Sequence, residues 1–165
     1  MSVEPLRTPD ELLELVRLAV RNTTEAGADE ADAAAGSSRE IAVEVDNNSV
    51  KSAEAEAGES MTIRAFVKGG RGMVSINGRL TESNVREAAR DAAVLARQAN
   101  PDPDFIALPA PDDHAAKQVP GLWDDAVAEL STDDVMAAVS DNISDGLAAA
   151  PDAVYQRSEE RRVGK

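Results

Sequence analysis

The 165-residue chain contains no cysteine and very few aromatic residues. The absence of cysteine excludes disulfide bonds, thiolate metal ligands and a cysteine nucleophile. Aromatic residues make up only 2% of the sequence, so aliphatic side chains, many of them alanine, must fill the core, and each buries less area than a ring does. We therefore expect the isolated chain to be marginally stable.

Long apolar segments are missing as well. No run approaches the roughly 20 apolar residues that are needed to cross a bilayer. Residues 1–7 also lack the basic-then-apolar pattern of a signal peptide. The sequence thus predicts a cytoplasmic protein that does not contact membranes.

Basic residues are scarce relative to acidic ones, 17 against 31, which gives a net charge of −14. A domain this acidic repels nucleic-acid phosphates, so direct binding to DNA or RNA is not expected. An acidic mimic of DNA is the alternative, although a solvated acidic surface is the more common cause of such a charge. The proportions of 42% hydrophobic and 29% charged residues are typical of a globular domain.

Two helices are signalled in the first hundred residues. Thr8 and Glu11 form a Thr-x-x-Glu capping box ahead of an apolar stripe at helical spacing. The alanine-rich segment 85–99 predicts a second helix, which Thr81 or Ser83 can cap. Small residues on its apolar face suit close packing of a helix on a sheet.

Between these helices the apolar period changes to two, which is typical of strands. The alternation predicts four short strands, over 39–46, 53–57, 61–68 and 73–76, the first of which can begin as early as residue 32. Turn residues separate them at 47–48, 58–59 and 69–72. The pattern predicts an α+β fold: a mostly antiparallel sheet of about four strands with helices packed on one face.

Residues 1–99 are predicted to form the core of this α+β domain. The segment 100–130 is rich in proline and aspartate, which disfavours regular structure. We expect it to be a linker that packs on the domain through Phe105, Ile106 and Leu108.

The remaining residues divide into a helix and a tail. Residues 131–150 predict a helix that begins with a Ser131–Asp134 capping box, ends before Pro151 and leads to a following domain outside this sequence. The abrupt polar segment 156–165 is interpreted as a non-native or truncated tail, with a native disordered tail as the alternative.

No segment carries a pattern that is typical of a catalytic centre. His114 is the only histidine, so no two-histidine zinc motif exists, and we interpret it as a solvated loop residue. The glycines of 69–72 join two strands and are not followed by Gly-Lys-Ser/Thr, so they predict a hairpin and not a phosphate loop. We assign no catalytic residue, no metal ligand and no cofactor to this chain.

Several short segments are similar to one known family. They are 27–29, 41–45, 50–52, 63–67, 70–75, 80–82, 119–124 and 130–131. Together they resemble the N-terminal domain of the TldD/PmbA family, also called modulators of DNA gyrase. The resemblance extends from Ala28 to about Ala149.

This resemblance implies a function for a longer protein. Family members are cytoplasmic dimers; the TldD-like subunit is a zinc metallopeptidase whose His-Glu-x-x-x-His motif lies beyond this domain. The chain would then be the N-terminal, non-catalytic fragment of such a metallopeptidase, involved in proteolysis or peptide processing and inactive alone, with zinc in the parent if that parent is TldD-like. The expected partners are a second TldD/PmbA-family subunit, in a homo- or heterodimer, and a peptide substrate.

Two alternatives remain open. One is a PmbA/TldE-like partner subunit or protein-interaction module without peptidase activity. The other is a gyrase-directed DNA mimic, which only the charge and the family's second name suggest.

The candidate contact residues follow from sheet geometry and residue type. An edge strand can receive an extended peptide or a partner subunit, and we hypothesise that 39–46 is such an edge, with Ile41 and Val43 as contacts. Arg71 is predicted at the tip of a hairpin, where a partner can reach it. Trp123 is interpreted either as an anchor of the linker or as an interface contact, because tryptophan is enriched at interfaces.

Overall fold

The computed structural model describes residues 6–109 and 119–155, together with the backbone of 157–164. Its helices are α1 (Pro9–Glu25), α2 (Glu82–Gln98), α3 (Asp125–Glu129) and α4 (Thr132–Ala149). Its strands are β1 (Glu30–Asp46), β2 (Ser49–Val67), β3 (Gly70–Asn77) and β4 (Arg157–Gly164). The short helix α3 lies within the segment that was predicted to be a linker.

The predicted capping boxes are confirmed at α1 and α4. In α1 the Thr8 N–H donates to the Glu11 carboxylate at 2.7 Å, and the Thr8 hydroxyl accepts from the Glu11 N–H. Ser131 and Asp134 make the same reciprocal pair at the start of α4. Thr81, one of the two predicted candidates, caps α2. Each box satisfies backbone donors that a helix start leaves without a partner.

The sheet has four strands in the order β3-β2-β1-β4. β2 pairs with β3 antiparallel, and β1 pairs with β4 antiparallel. The predicted α+β fold with a mostly antiparallel sheet is therefore confirmed. The strands are longer than predicted, and the fourth one lies in the tail that we interpreted as non-native; that interpretation stays a prediction.

The turn predicted at residues 58–59 is wrong, because β2 runs unbroken through it. No heavy atom lies within 4 Å of the position that a Cβ of Gly58 would take, so this glycine is not required by a close approach. Glu59 is instead fixed in the strand by its carboxylate, which accepts from the Leu80 N–H at 2.7 Å and from the Arg7 side chain. The second and third predicted strands are thus one strand.

Two hairpin turns join β1 to β2 and β2 to β3. Asn47 and Asn48 have φ of 49° and 65°, which confirms the predicted asparagine turn. The next turn lies at Lys68 and Gly69, with φ of 49° and 80°. The prediction that Arg71 lies at the tip of this hairpin is therefore wrong. Arg71 lies in β3, opposite Phe66.

The chain divides into two compact units. Unit A comprises Arg7–Ser37 and Gly58–Gln118; unit B comprises Met1–Leu6, Ser38–Ala57 and Val119–Gly164. Both long strands are divided between the units. The part of β1 up to Ser37 and the part of β2 from Gly58 belong to unit A, and the rest of each strand belongs to unit B.

The core of unit A is built from α1, α2 and the adjoining strands, and it is rich in alanine. Ala89, Ala92, Ala93 and Ala96 of α2 have no exposed surface. Small side chains on α2 let β3 approach its backbone closely. A Cβ on Gly72 would lie 2.1 Å from the Ala92 carbonyl oxygen, so this position has room for glycine only.

Part of the predicted linker also packs on unit A. Phe105 stacks on Phe66, with ring centroids 4.0 Å apart and planes at 5°. The Leu108 N–H donates to the Glu30 carboxylate at 2.6 Å. Ile106, which was predicted to pack as well, is 94% exposed.

The core of unit B is smaller. Three apolar residues of β1 pack on three of α4. Those of β1 are Ile41, Val43 and Val45, and those of α4 are Val135, Val139 and Ile143. Tyr155 packs against the last turns of α4. A Cβ on Gly146 would lie only 2.1 Å from the Tyr155 hydroxyl oxygen, so the tyrosine occupies the space that a side chain there would need. The Tyr155 N–H donates to the Asn48 side chain at 2.7 Å.

Replacing Gly72 by alanine tests the close approach of β3 to α2. The new methyl group would overlap the α2 backbone, so we expect a loss of about 1–3 kcal/mol in the free energy of unfolding. Urea unfolding followed by circular dichroism measures the loss. Gly58→Ala is the matched control, because open space surrounds that position and the change should be within about 1 kcal/mol. Equal stability of the two variants would contradict the packing argument.

Candidate functional site

Metal binding has no visible basis in the described part of the chain. Within residues 6–109 and 119–155, no three acidic or histidine side chains are grouped so as to hold a metal ion. His114 lies outside the described residues. None of the described helices is long and apolar enough to cross a membrane.

Ile41 and Val43 lie on the face of β1 that packs against α4. Their exposed fractions are 4% and 0%. The alternation that predicted a half-buried strand is confirmed, and it placed both side chains in the core of unit B. A partner could touch them only by displacing α4, so their contact with a partner stays a prediction that this burial does not favour.

The hypothesis that 39–46 is an open edge is wrong for the described chain. β1 lies between two strands, with β2 on one side and β4 on the other. Ile41 is opposite Arg161 of β4, and Val45 is opposite Arg157. On that side the backbone of β1 pairs with β4, which belongs to the segment 156–165 that we interpreted as a non-native or truncated tail.

Arg71 and Trp123 are both accessible. Arg71 is exposed on β3, and its guanidinium forms no ion pair with a described residue. Trp123 is 36% exposed, and its indole N–H donates to the Asp125 carboxylate at 2.7 Å. The indole thus bonds within the segment that starts α3. Partner contact at these two residues stays a prediction.

An open edge does exist, on β2. β3 pairs with β2 only from Ser60 to Val67, so residues 49–57 of β2 have no partner strand on that side among the described residues. The side chains of 54–57 are exposed. The sequence analysis missed this edge because the incorrect turn at 58–59 divided β2 into two short predicted strands. The signal that could have found it is the sequence Ala-Glu-Ala-Glu-Ala, in which both faces carry small or charged residues.

A cavity of about 320 Å³ lies beside this edge, in unit B. It is lined by Arg39, Ile41, Ala55, Leu130, Ser131, Thr132 and Asp133. Arg39 donates to the carbonyl oxygens of Ala128, at 2.8 Å, and Leu130. Arg39 therefore fixes the connection between α3 and α4, which forms one wall.

A second polar cluster lies in unit A. The Arg7 Nε donates to the Glu59 carboxylate at 3.0 Å, and an Arg7 terminal nitrogen donates to the Leu80 carbonyl oxygen at 2.9 Å. Burial alone would raise the pKa of Glu59, but hydrogen bonds from Arg7 and from the Leu80 N–H outweigh it and hold that pKa below its usual value. This cluster joins the start of α1 to β2 and is structural, since each group is already paired.

The family model described as PmbA/TldA metallopeptidase domain 1 matches residues 31–96. The predicted resemblance to the N-terminal domain of this family is thereby confirmed. No curated protein sequence matches the chain.

Three solved structures share the fold. TldE from Thermococcus kodakarensis is 22% identical, with a TM-score of 0.74 over 92% of this chain and 35% of that one. A candidate modulator of DNA gyrase from Bacteroides thetaiotaomicron is 19% identical, with a TM-score of 0.66 over 95% of this chain and 35% of that one. A similar protein from Thermotoga maritima is 11% identical, with a TM-score of 0.55 over 92% and 38%. The chain spans little more than a third of the length of each.

Replacing Glu59 by glutamine tests the polar cluster of unit A. The pKa of Glu59 in the folded state is lower than its usual value, so the folded state binds fewer protons. The carboxylate therefore adds stability that is present above the unfolded pKa of about 4.3 and is lost as the pH falls through the folded pKa. We expect Glu59→Gln to cost about 1–3 kcal/mol near pH 7 and much less near pH 3. Urea unfolding at both pH values measures this. The control Glu87→Gln, at an exposed position on α2, should change the free energy of unfolding by less than about 0.5 kcal/mol. A loss in Glu59→Gln that is equally small at pH 7, or equal at the two pH values, would contradict the assignment.

Proposed function

We propose that this chain, whose residues 31–96 form a first domain of the PmbA/TldD type, is the N-terminal, non-catalytic part of a TldD/PmbA-type metallopeptidase that acts in proteolysis or peptide processing. The observation that carries the proposal is the family model, which names a metallopeptidase and numbers this domain as its first. The fold shared with TldE supports it.

The proposal places the metal chemistry in another part of the protein. Peptide hydrolysis by a metallopeptidase needs a metal-bound water and a general base. No described group of side chains in 6–109 or 119–155 can hold the metal. In this proposal zinc would be held by residues of a following domain, as the resemblance to the TldD-like subunit implies, and this domain would contribute surfaces that position a peptide or a second subunit.

A PmbA/TldE-like partner subunit is the second candidate. It is supported by the fold that this chain shares with TldE from Thermococcus kodakarensis, with a TM-score of 0.74. In this case the chain would belong to a subunit without peptidase activity, which assembles with a metallopeptidase subunit. Both candidates place the protein in the cytoplasm and give it a second subunit of the same family as partner.

The reading frame beyond the Tyr155 codon distinguishes the two candidates. We expect the encoding locus to continue into a domain that contains His-Glu-x-x-x-His. The purified product of the whole frame should then cleave an unstructured peptide, and a chelator should stop the cleavage. The 165-residue chain with added Zn²⁺ should show no cleavage above buffer.

Other results would decide against the proposal. A long frame without the motif would favour the partner subunit. A frame that ends directly after Lys165, or hydrolysis by the 165-residue chain itself, would overturn the metallopeptidase assignment for this domain.

A further inference from the structure

The open edge of β2 in unit B is unusually accessible. Residues 54–57, which lie in unit B, are all exposed. A strand edge presents a row of backbone N–H and C=O groups that can pair with another extended chain. Natural edges are commonly blocked by lysine, proline or a covering loop, and residues 52–58 contain neither lysine nor proline.

Three charged side chains lie along the edge at 49–57. Lys51 pairs with Glu44 of β1 at 2.9 Å, and the other two, Glu54 and Glu56, are acidic. Glu54 and Glu56 are two residues apart in one strand, so they point to the same face of the sheet. Neither carboxylate forms an ion pair or a hydrogen bond with a described residue. Cross-strand pairs of opposite charge stabilise a sheet, whereas like charges opposite one another destabilise it.

The surroundings increase this negative charge. Residues 38–57 and 119–155 of unit B contain thirteen acidic residues and two basic ones, Arg39 and Lys51. The strand β4 adds two glutamates and three arginines, but it pairs with β1 on the side away from β2. Arg39 donates to backbone carbonyl oxygens, and Lys51 pairs with Glu44 at 2.9 Å. No described cation of unit B is therefore placed to neutralise Glu54 and Glu56.

The opposite face of the same edge offers space. Ala55 lies between the two glutamates in sequence, so its side chain points to the other face, where it lines the cavity of about 320 Å³. A strand added at this edge would alternate in the same way. One set of its side chains would lie beside Glu54 and Glu56, and the other set would face the cavity.

We propose that this edge of β2 binds an extended peptide in which basic and apolar side chains alternate. The basic side chains would pair with Glu54 and Glu56, the apolar ones would enter the cavity beside Ala55, and the backbone would add a strand to the sheet. A second copy of the chain does not fit, because it would bring its own acidic side chains against these carboxylates. The inference does not rest on the zinc chemistry proposed above.

The test uses the full 165-residue chain and a decapeptide of alternating lysine and valine. Binding is measured by calorimetry at low salt, and hydrogen exchange of the chain is measured with and without the peptide. We expect saturable binding and slowed exchange at residues 52–58. The same peptide with N-methyl groups on alternate backbone amides should bind at least about tenfold more weakly, because it cannot complete a ladder of backbone hydrogen bonds.

Charge variants locate the site. Glu54→Lys/Glu56→Lys should weaken binding of the lysine–valine peptide at least about tenfold, since two attractive pairs become repulsive. The matched control is Glu87→Lys/Asp91→Lys on exposed positions of α2, which changes the net charge equally but lies in unit A. The control should bind within about twofold of the unaltered chain.

Three results would overturn the proposal. Equal binding of the N-methylated peptide would mean adsorption by charge alone. Equal weakening in the two charge variants would mean that no particular site is used. No binding of the lysine–valine peptide by a chain whose thermal unfolding shows it to be folded would remove the edge as a peptide site, whatever the encoding locus shows about zinc.

Discussion

The close approach of β3 to α2 is the contact on which unit A depends. With aromatic residues at 2% of the sequence, large side chains cannot span a wide gap between helix and sheet. The alanines of α2 and the glycines at 70 and 72 remove that gap, because backbone then lies almost against backbone. Dispersion contacts grow with the number of atoms at close range, so a narrow interface compensates in part for small side chains. Leu12, Leu15 and Leu18 of α1 complete this core with larger groups.

Local rules predicted the parts of the fold that local interactions decide. The capping boxes at Thr8 and Ser131 need only residues three positions apart, and both formed. The asparagine turn at 47–48 depends on positive φ, which asparagine tolerates. The alternation of Ile41, Val43 and Val45 gave the buried face correctly, because a strand turns its side chains by a fixed period.

The errors came from interactions between distant residues. Glu59 looked like a turn residue, yet Arg7 and Leu80, far from it in sequence, hold it in a strand. The order of the strands likewise depends on a pairing between β1 and a segment more than a hundred residues later. No periodicity within β1 could show that its edge is covered, and the candidate edge was therefore placed on the wrong strand. The cavity beside Ala55 was equally invisible, since its walls come from β1, β2 and the start of α4.

The distribution of chromophores follows the division into units. The single tryptophan, Trp123, and the single tyrosine, Tyr155, both belong to unit B, whereas the stacked rings of Phe66 and Phe105 belong to unit A. Intrinsic fluorescence excited in the near ultraviolet therefore reports on unit B alone. Far-ultraviolet dichroism is dominated instead by backbone from both units. Fluorescence thus follows unit B, and a difference between the fluorescence and dichroism melting curves would reveal that unit A unfolds at another temperature.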